Sequence, residues 1–332
     1  MAVTTEGAGP LQTLVRAVRL EGAAAPYDTI HVRVTYPASD AEPVDAVGTL
    51  APAVDLAPFP VVLWSPGMNT DPSYYRWLGN EISRAGFAFV TFTFLGLVPP
   101  ASVGITPGAD LSLARPETFG TGPIGALIAP VLEVVAALNE EPGPLHGRLD
   151  LDRIALGGHS AGGTISLNSA NHRYFPHVRA VFSYAAHTMA STMLGWPAGT
   201  VLPLSGDCPA LLMSGTDDGL VAASARFYGE DSDRVDPIKR TFDTLPDIPS
   251  AAGSWLVSIE GANHFSIAFP DDGGLPRVRD DLPASRPAEQ TRTLIGRVIT
   301  LFLRDHLRDE PGAGPELAAL LAQSDQANAR TQ

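Results

Sequence analysis

The stretch Arg153-Ile-Ala-Leu-Gly157 runs directly into Gly158-His159-Ser160-Ala161-Gly162-Gly163. An apolar run this short reads as a covered strand, and the residues from Ala161 onward read as a helix. Between the two the chain must turn within one or two residues, with Ser160 at the apex and its neighbours crowded against the strand. Gly158, Gly162 and Gly163 supply the space that such a turn needs. A strand that feeds a helix in this way is a unit of a parallel α/β sheet, so this segment constrains the fold more than any other. It also lifts the Ser160 hydroxyl above the C-terminal edge of the sheet, where open α/β sheets bind their ligands.

The rest of the chain repeats the pattern. Short continuously apolar runs ("FPVVLWS" from residue 59, "FAFVTFTF", "VRAVFSYAA", "PALLMSG", "SWLVSIEG") alternate with helical stretches at about 124–140, from Ala161, after Gly219 and at 286–307. Residues 10–55 alternate instead with period two, Ile30, Val32, Val34 and Tyr36 sharing one face, and read as antiparallel strands at a sheet edge. The expected architecture is one α/β domain over 1–332: N-terminal antiparallel strands at 10–55, a core at 56–307 with a mostly parallel sheet and helices on both faces, and a tail at 308–332 ending in a short helix and a frayed terminus. Two Pro/Gly-rich insertions, 96–123 and 229–252, are long enough to be read as lid-like segments.

Composition narrows the class. With 332 residues, 45% of them apolar, the chain can bury a core of its own. A formal charge of −14 repels phosphate backbones and anionic membranes, which excludes nucleic acid as a main partner. No run reaches the ~20 apolar residues of a membrane span, so no integral membrane segment is expected. The N-terminal residues lack a basic stretch followed by an apolar one, and the reading is cytoplasmic, or secreted if a signal peptide has been removed. Cys208 is the only cysteine, reads as a small buried hydrophobe, and permits no intramolecular disulfide.

A serine hydroxyl is a weak nucleophile at neutral pH and needs a base, which in turn needs an orienting carboxylate. After Ser160 come His172, His177, His187, His264 and His306. His264, in the loop "GANHF" after a strand, is favoured as the base, with His187 the alternative because it too follows a strand. His159 is set aside: neighbouring side chains on a sharp turn point apart, and its reading is a packed, hydrogen-bonded support. The acid should end an earlier strand, and "SGTDDGLV" offers Asp217 and Asp218. The spacing Gly215, Asp218, Val221 favours Asp218, with Asp217 a solvated or loop-capping neighbour. Donors for a developing oxyanion are expected at the backbone N–H of Ala161, at a helix start, and of Met68, after Gly67 in "SPGM". No His or Cys stands at metal-ligand spacing around the paired aspartates, and no metal or organic cofactor is expected. Gly120, Gly122 and Gly125 match a dinucleotide fingerprint in spacing, but follow no strand and are interrupted by Pro123.

With "SPGM", "GHSAGG", "SGTDDGLV" and "GANHF" in hand, residues 55–307 resemble the α/β-hydrolase superfamily, in particular the group with cutinase-like polyester hydrolases, dienelactone hydrolases, chlorophyllases and platelet-activating-factor acetylhydrolases. The resemblance implies a serine esterase with Ser160, Asp218 and His264 as triad and Met68 and Ala161 as oxyanion donors. Its substrate would be a small-molecule or lipid-like carboxylic ester. An acyltransferase, thioesterase or lactone-forming cyclase would share the same acyl-enzyme, and a non-catalytic binding protein on this fold would typically have lost a triad member. Leu95, Leu97 and Val98 are expected to line or cover an acyl pocket, Phe92 and Phe94 to be core, and His187 and Trp196 to contribute to substrate binding. The pairs Asp271, Asp272 and Asp280, Asp281 read as solvated loop faces, and sequence leaves the oligomeric state open.

Overall fold

The computed structural model describes residues 9–40, 43–98, 102–229, 236–270, 273–275 and 280–332. In chain order the elements are β1 (Leu11–Arg19), β2 (Thr29–Pro37), β3 (Phe59–Ser65), α1 (Arg76–Arg84), β4 (Ala88–Val98), β5 (Ser102–Ile105), α2 (Ile128–Glu140), β6 (Leu149–His159) and α3 (Ala161–Ser169). There follow β7 (Val178–Tyr184), β8 (Ala210–Gly215), α4 (Gly219–Ser224), α5 (Pro237–Phe242), β9 (Trp255–Ile259), α6 (Ala288–Arg308), α7 (Ala313–Gln323) and β10 (Ala327–Thr331).

The strands form one sheet in the order β1-β2-β4-β3-β6-β7-β8-β9-β10, with β5 beside β4. The centre, β4-β3-β6-β7-β8-β9, is parallel throughout. β1 and β2 extend one side antiparallel, as their period-two pattern requires, and Ile30, Val32, Val34 and Tyr36 all point into the core. Every residue of β3 is buried, because helices cover both faces there. The crossovers leave the C-terminal ends of β3, β6, β7, β8 and β9 side by side, and the loops that follow those five strands carry Met68, Ser160, His187, Asp218 and His264 in turn.

Four expectations about the fold need correction. The N-terminal strands end at Pro37, and the described residues from Ala38 to Pro58 form no strand, with an isolated bridge between Ala38 and Pro52. The tail is not frayed: β10 pairs antiparallel with β9, with Ala327 and Ala329 packed on the core and polar residues between them facing out. Two alanines in five residues give too little apolar contrast for that strand to be read from sequence. The insertion read at 229–252 is no lid in its described part. It holds α5, which buries Ile238 and Phe242 at 2% exposure and carries the chain from β8 to β9 as an ordinary covering helix.

The fourth correction concerns residues 96–123. β4 continues past the sheet to Val98 and returns as β5, making a short ribbon in which Leu95 faces Ile105 and Leu97 faces Val103. Paired residues share a face, so these four apolar side chains lie together on one side of the ribbon. That side is turned to solvent, with Leu95 at 44% and Leu97 at 71% exposure. Leu95 and Leu97 therefore do not line the cavity beside Ser160, and the Val98 side chain lies outside the described residues. The other side packs inward, Gly104 against the Asn69 side chain and Gly96 against Thr106. Phe92 is core, as expected, and Phe94 packs against it.

Candidate active site

Ser160 joins β6 to α3 with φ 53° and ψ −126°, a left-handed conformation that costs a residue with a Cβ about 1–3 kcal/mol. The surroundings enforce it. A Cβ on Gly158 would stand 2.4 Å from the Gly162 carbonyl carbon, and one on Gly162 would stand 2.2 Å from the Ser65 carbonyl oxygen, so both glycines are dictated by backbone contact. Among the described residues four others than glycine have positive φ: Asn69, Ser160, Ala185 and Asp309. The first three all line one cavity of about 590 Å³. Strain concentrated in this way marks loops that are held for a purpose other than stability.

The loop after β9 brings His264 to the same cavity, 5% exposed. Its Nδ1–H donates to Asp218, 2.9 Å from Oδ2 and 3.1 Å from Oδ1. Asp218 stands in the loop after β8, and its Oδ1 also accepts the Val221 N–H at 2.8 Å, capping α4. Two buried tyrosine and histidine side chains fix the His264 loop from below. Tyr184, at the end of β7, donates its hydroxyl to the Asn263 carbonyl at 2.7 Å, and His159 Nε2–H donates to the His264 carbonyl at 2.9 Å. Asp217 points away: its Oδ2 accepts from the Ser285 N–H and hydroxyl.

His159 is fully buried and links three loops. Because its Nε2 donates to a carbonyl, the neutral ring must accept at Nδ1, where the Tyr75 hydroxyl donates at 2.8 Å. Tyr75 in turn accepts the Gly67 N–H at 3.2 Å. Burial, aided by the neighbouring His264, holds His159 well below the usual histidine range, and burial pushes the Tyr75 hydroxyl up. His159 therefore stays neutral and Tyr75 protonated, the states this chain of bonds requires. His159→Ala should lower the melting temperature and folded yield strongly while reducing turnover per folded molecule far less than His264→Ala, measured by thermal melts and active-site-normalised rates. Equal losses of turnover would show that the ring takes part in the chemistry itself.

Met68 and Ala161 also line the cavity. The N–H groups around them are engaged, Gly67 by Tyr75, Asn69 by the Ile105 carbonyl, Thr70 by the Gly67 carbonyl and Ser160 by the Tyr184 carbonyl. Those of Met68 and Ala161 make no hydrogen bond among the described residues, and Ala161 is the first residue of α3, where helical N–H groups have no internal partner. Two N–H groups without a partner among the described residues thus belong to residues that line the same cavity as Ser160.

The remaining expectations divide. His187 lines the cavity, 6% exposed. Trp196 does not: its Nε1–H donates to the Ala114 carbonyl at 2.8 Å and its ring meets Phe119 edge-on, so it braces the 109–124 loop, from which Ala109, Leu111, Ala114 and Ile124 form the cavity wall. Asp281 is not a solvated residue. Its Oδ1 accepts from the Gly219 N–H at 2.9 Å, and burial together with the charge of Asp218 holds its carboxyl above the usual range. Asp271 and Asp272 lie outside the described residues. Cys208 is buried in the core, its thiol pushed up to about 12 by burial. Tyr75 and Tyr184 went unnoticed in the sequence, where no local pattern separates a tyrosine that braces a loop from one that fills a core. Among the described residues no cluster of side chains suited to a metal ion occurs, and no helix is long and apolar enough to cross a membrane.

No family model and no curated protein matches the chain. Among solved structures, a ferulic acid esterase from Streptomyces cinnamoneus is similar, with a TM-score of 0.54, 17% identity, and coverage of 91% of this chain and 90% of that one. At that identity the likeness speaks for architecture, and with the parallel sheet, the strained serine turn and the loop order described above it places this chain in the α/β-hydrolase fold.

Proposed function

We propose that the protein is a serine hydrolase that cleaves carboxylic esters through an acyl-enzyme. The observation that carries this reading is the buried His264–Asp218 pair, bonded at 2.9 Å, with His264 lining the same cavity as the strained Ser160. In this mechanism His264 Nε2 takes the Ser160 proton as Oγ attacks the carbonyl, and the imidazolium is stabilised by Asp218. The negative oxygen of the tetrahedral intermediate is held by the Met68 and Ala161 N–H groups, each worth on the order of 3 kcal/mol of barrier in such sites. His264 then returns the proton to the leaving alcohol, and a water activated by the same ring releases the acid. No metal or organic cofactor has a step in this cycle. The mostly apolar cavity suits a small uncharged or lipid-like ester, and the structural neighbour is itself a ferulic acid esterase, which supports the reaction class.

A fluorophosphonate probe tests the reading. It should abolish hydrolysis of a short p-nitrophenyl ester at one equivalent and add its mass to the peptide containing Ser160. Labelling at another residue, or turnover that survives full labelling, would overturn it.

A further inference from the structure

His187 follows β7 in the order Ala185-Ala186-His187, and the positive φ of Ala185 turns the chain toward the cavity. Its Nδ1 accepts the Met189 N–H at 3.2 Å, so in the neutral ring the proton sits on Nε2. Nε2 makes no hydrogen bond among the described residues. Several side-chain donors around the same cavity are engaged by the protein itself. Thr164 donates to the His187 carbonyl, Thr188 to that of Leu202, Ser224 to that of Val221, and the Asn168 amide to that of Thr164. The Tyr228 hydroxyl bonds to Ser224 while its ring stands edge-on against His187 at 4.9 Å. A donor left over on a largely buried ring and open only to an apolar cavity is satisfied by whatever occupies that cavity, and an occupant without an acceptor there leaves it unpaired.

We propose that His187 Nε2–H is a specificity-determining donor that reads a second, uncharged oxygen of the substrate, so that this enzyme prefers esters carrying an ether, hydroxyl or carbonyl oxygen beyond the scissile ester group. The inference rests on the ester-hydrolase reading and deepens it. Charge supports the restriction to neutral acceptors. Among the described residues no lysine or arginine lines the cavity, and Asp218 is near enough to act on the His187 ring, so a carboxylate there meets no counter-charge from those residues. Burial holds the ring near 4, which keeps it a neutral donor through the physiological range. Diesters, hydroxy esters, keto esters and polyester segments meet these terms, whereas simple alkyl esters leave the donor unpaired.

Matched pairs of esters that differ by one CH₂→O exchange give the test. p-Nitrophenyl ethoxyacetate against p-nitrophenyl pentanoate places the oxygen in the acyl arm, and 2-methoxyethyl butyrate against butyl butyrate places it in the alcohol arm. For each pair the ratio of kcat/KM, oxygen over carbon, is compared between wild type, His187→Phe and His187→Gln, which cancels the intrinsic reactivity of each ester. In at least one pair His187→Phe should lower the ratio by about fivefold or more, and His187→Gln, which keeps a donor, should recover part of it. Ratios unchanged within about twofold in both pairs would overturn the proposal. Should His187→Phe fail to fold, as judged by near-UV circular dichroism, the ratio in His187→Gln is compared with that in His187→Met, under the same criterion. Failure of the ester-hydrolase reading is distinct, since wild type would then turn over none of the four esters.

Discussion

Ser160→Ala should lose on the order of 10⁵-fold in kcat against a p-nitrophenyl ester while melting where the wild type melts. The structure gives a reason for each half of that result. Chemically, on the proposed mechanism, alanine removes the hydroxyl that His264 activates, and the Met68 and Ala161 donors are left to polarise a carbonyl that nothing attacks. Structurally, alanine has the same Cβ, so it adopts φ 53° at the same cost, and the bond from its N–H to the Tyr184 carbonyl at 3.0 Å is a backbone bond that survives. Ser160→Gly separates strain from chemistry: it is equally inactive, but relief of the left-handed conformation offsets the loss of chain stiffness, so its stability should not fall as an ordinary Gly substitution in an element would. Turnover in Ser160→Ala above a few per cent of wild type would remove the serine from the mechanism.

The turn itself was legible because its requirement is local. Only glycine fits where a Cβ would lie within 2.4 Å of backbone, and a strand before and a helix after are visible as apolar runs of different length. His264 and Asp218 were legible by order and position, each in a loop after a buried strand. What escaped is long-range. Trp196 was placed by its position after β7, but the 109–124 loop claims its N–H, and nothing in the local sequence reports a partner so distant in the chain. Leu95 looked like a pocket residue because it is apolar and follows a core strand. The strand, however, outruns the sheet, and with Gly96 and Gly104 turned inward its leucines must face out. The network from Gly67 through Tyr75 and His159 to His264 joins residues far apart in the chain by side-chain bonds alone, and propensity carries no trace of it.

Asp218→Asn should lower kcat by on the order of 10⁴-fold, and Asp217→Asn by no more than a few-fold. The argument turns on which oxygen goes where. Asp218 Oδ1 accepts the Val221 N–H at 2.8 Å, the cap of α4, and only an oxygen can do so. In the asparagine variant the amide oxygen is therefore held at the cap, and the NH₂ group takes the place of Oδ2, facing His264 Nδ1 at 2.9 Å. Two N–H groups cannot face each other there, so the ring must move its proton to Nε2 and accept at Nδ1 instead. In the proposed mechanism Nε2 is the atom that receives the Ser160 proton, and once protonated it cannot, while the imidazolium of that transition state also loses its counter-charge. Asp217→Asn changes only the bonds to Ser285 and to the Thr216 hydroxyl, none of which involves the ring. Fold and cap persist in both variants, so melting curves should separate them little and kcat should separate them by orders of magnitude. Comparable losses in the two, or a larger loss in Asp217→Asn, would exchange the roles of the carboxylates and with them the tautomer on which the proton transfer depends.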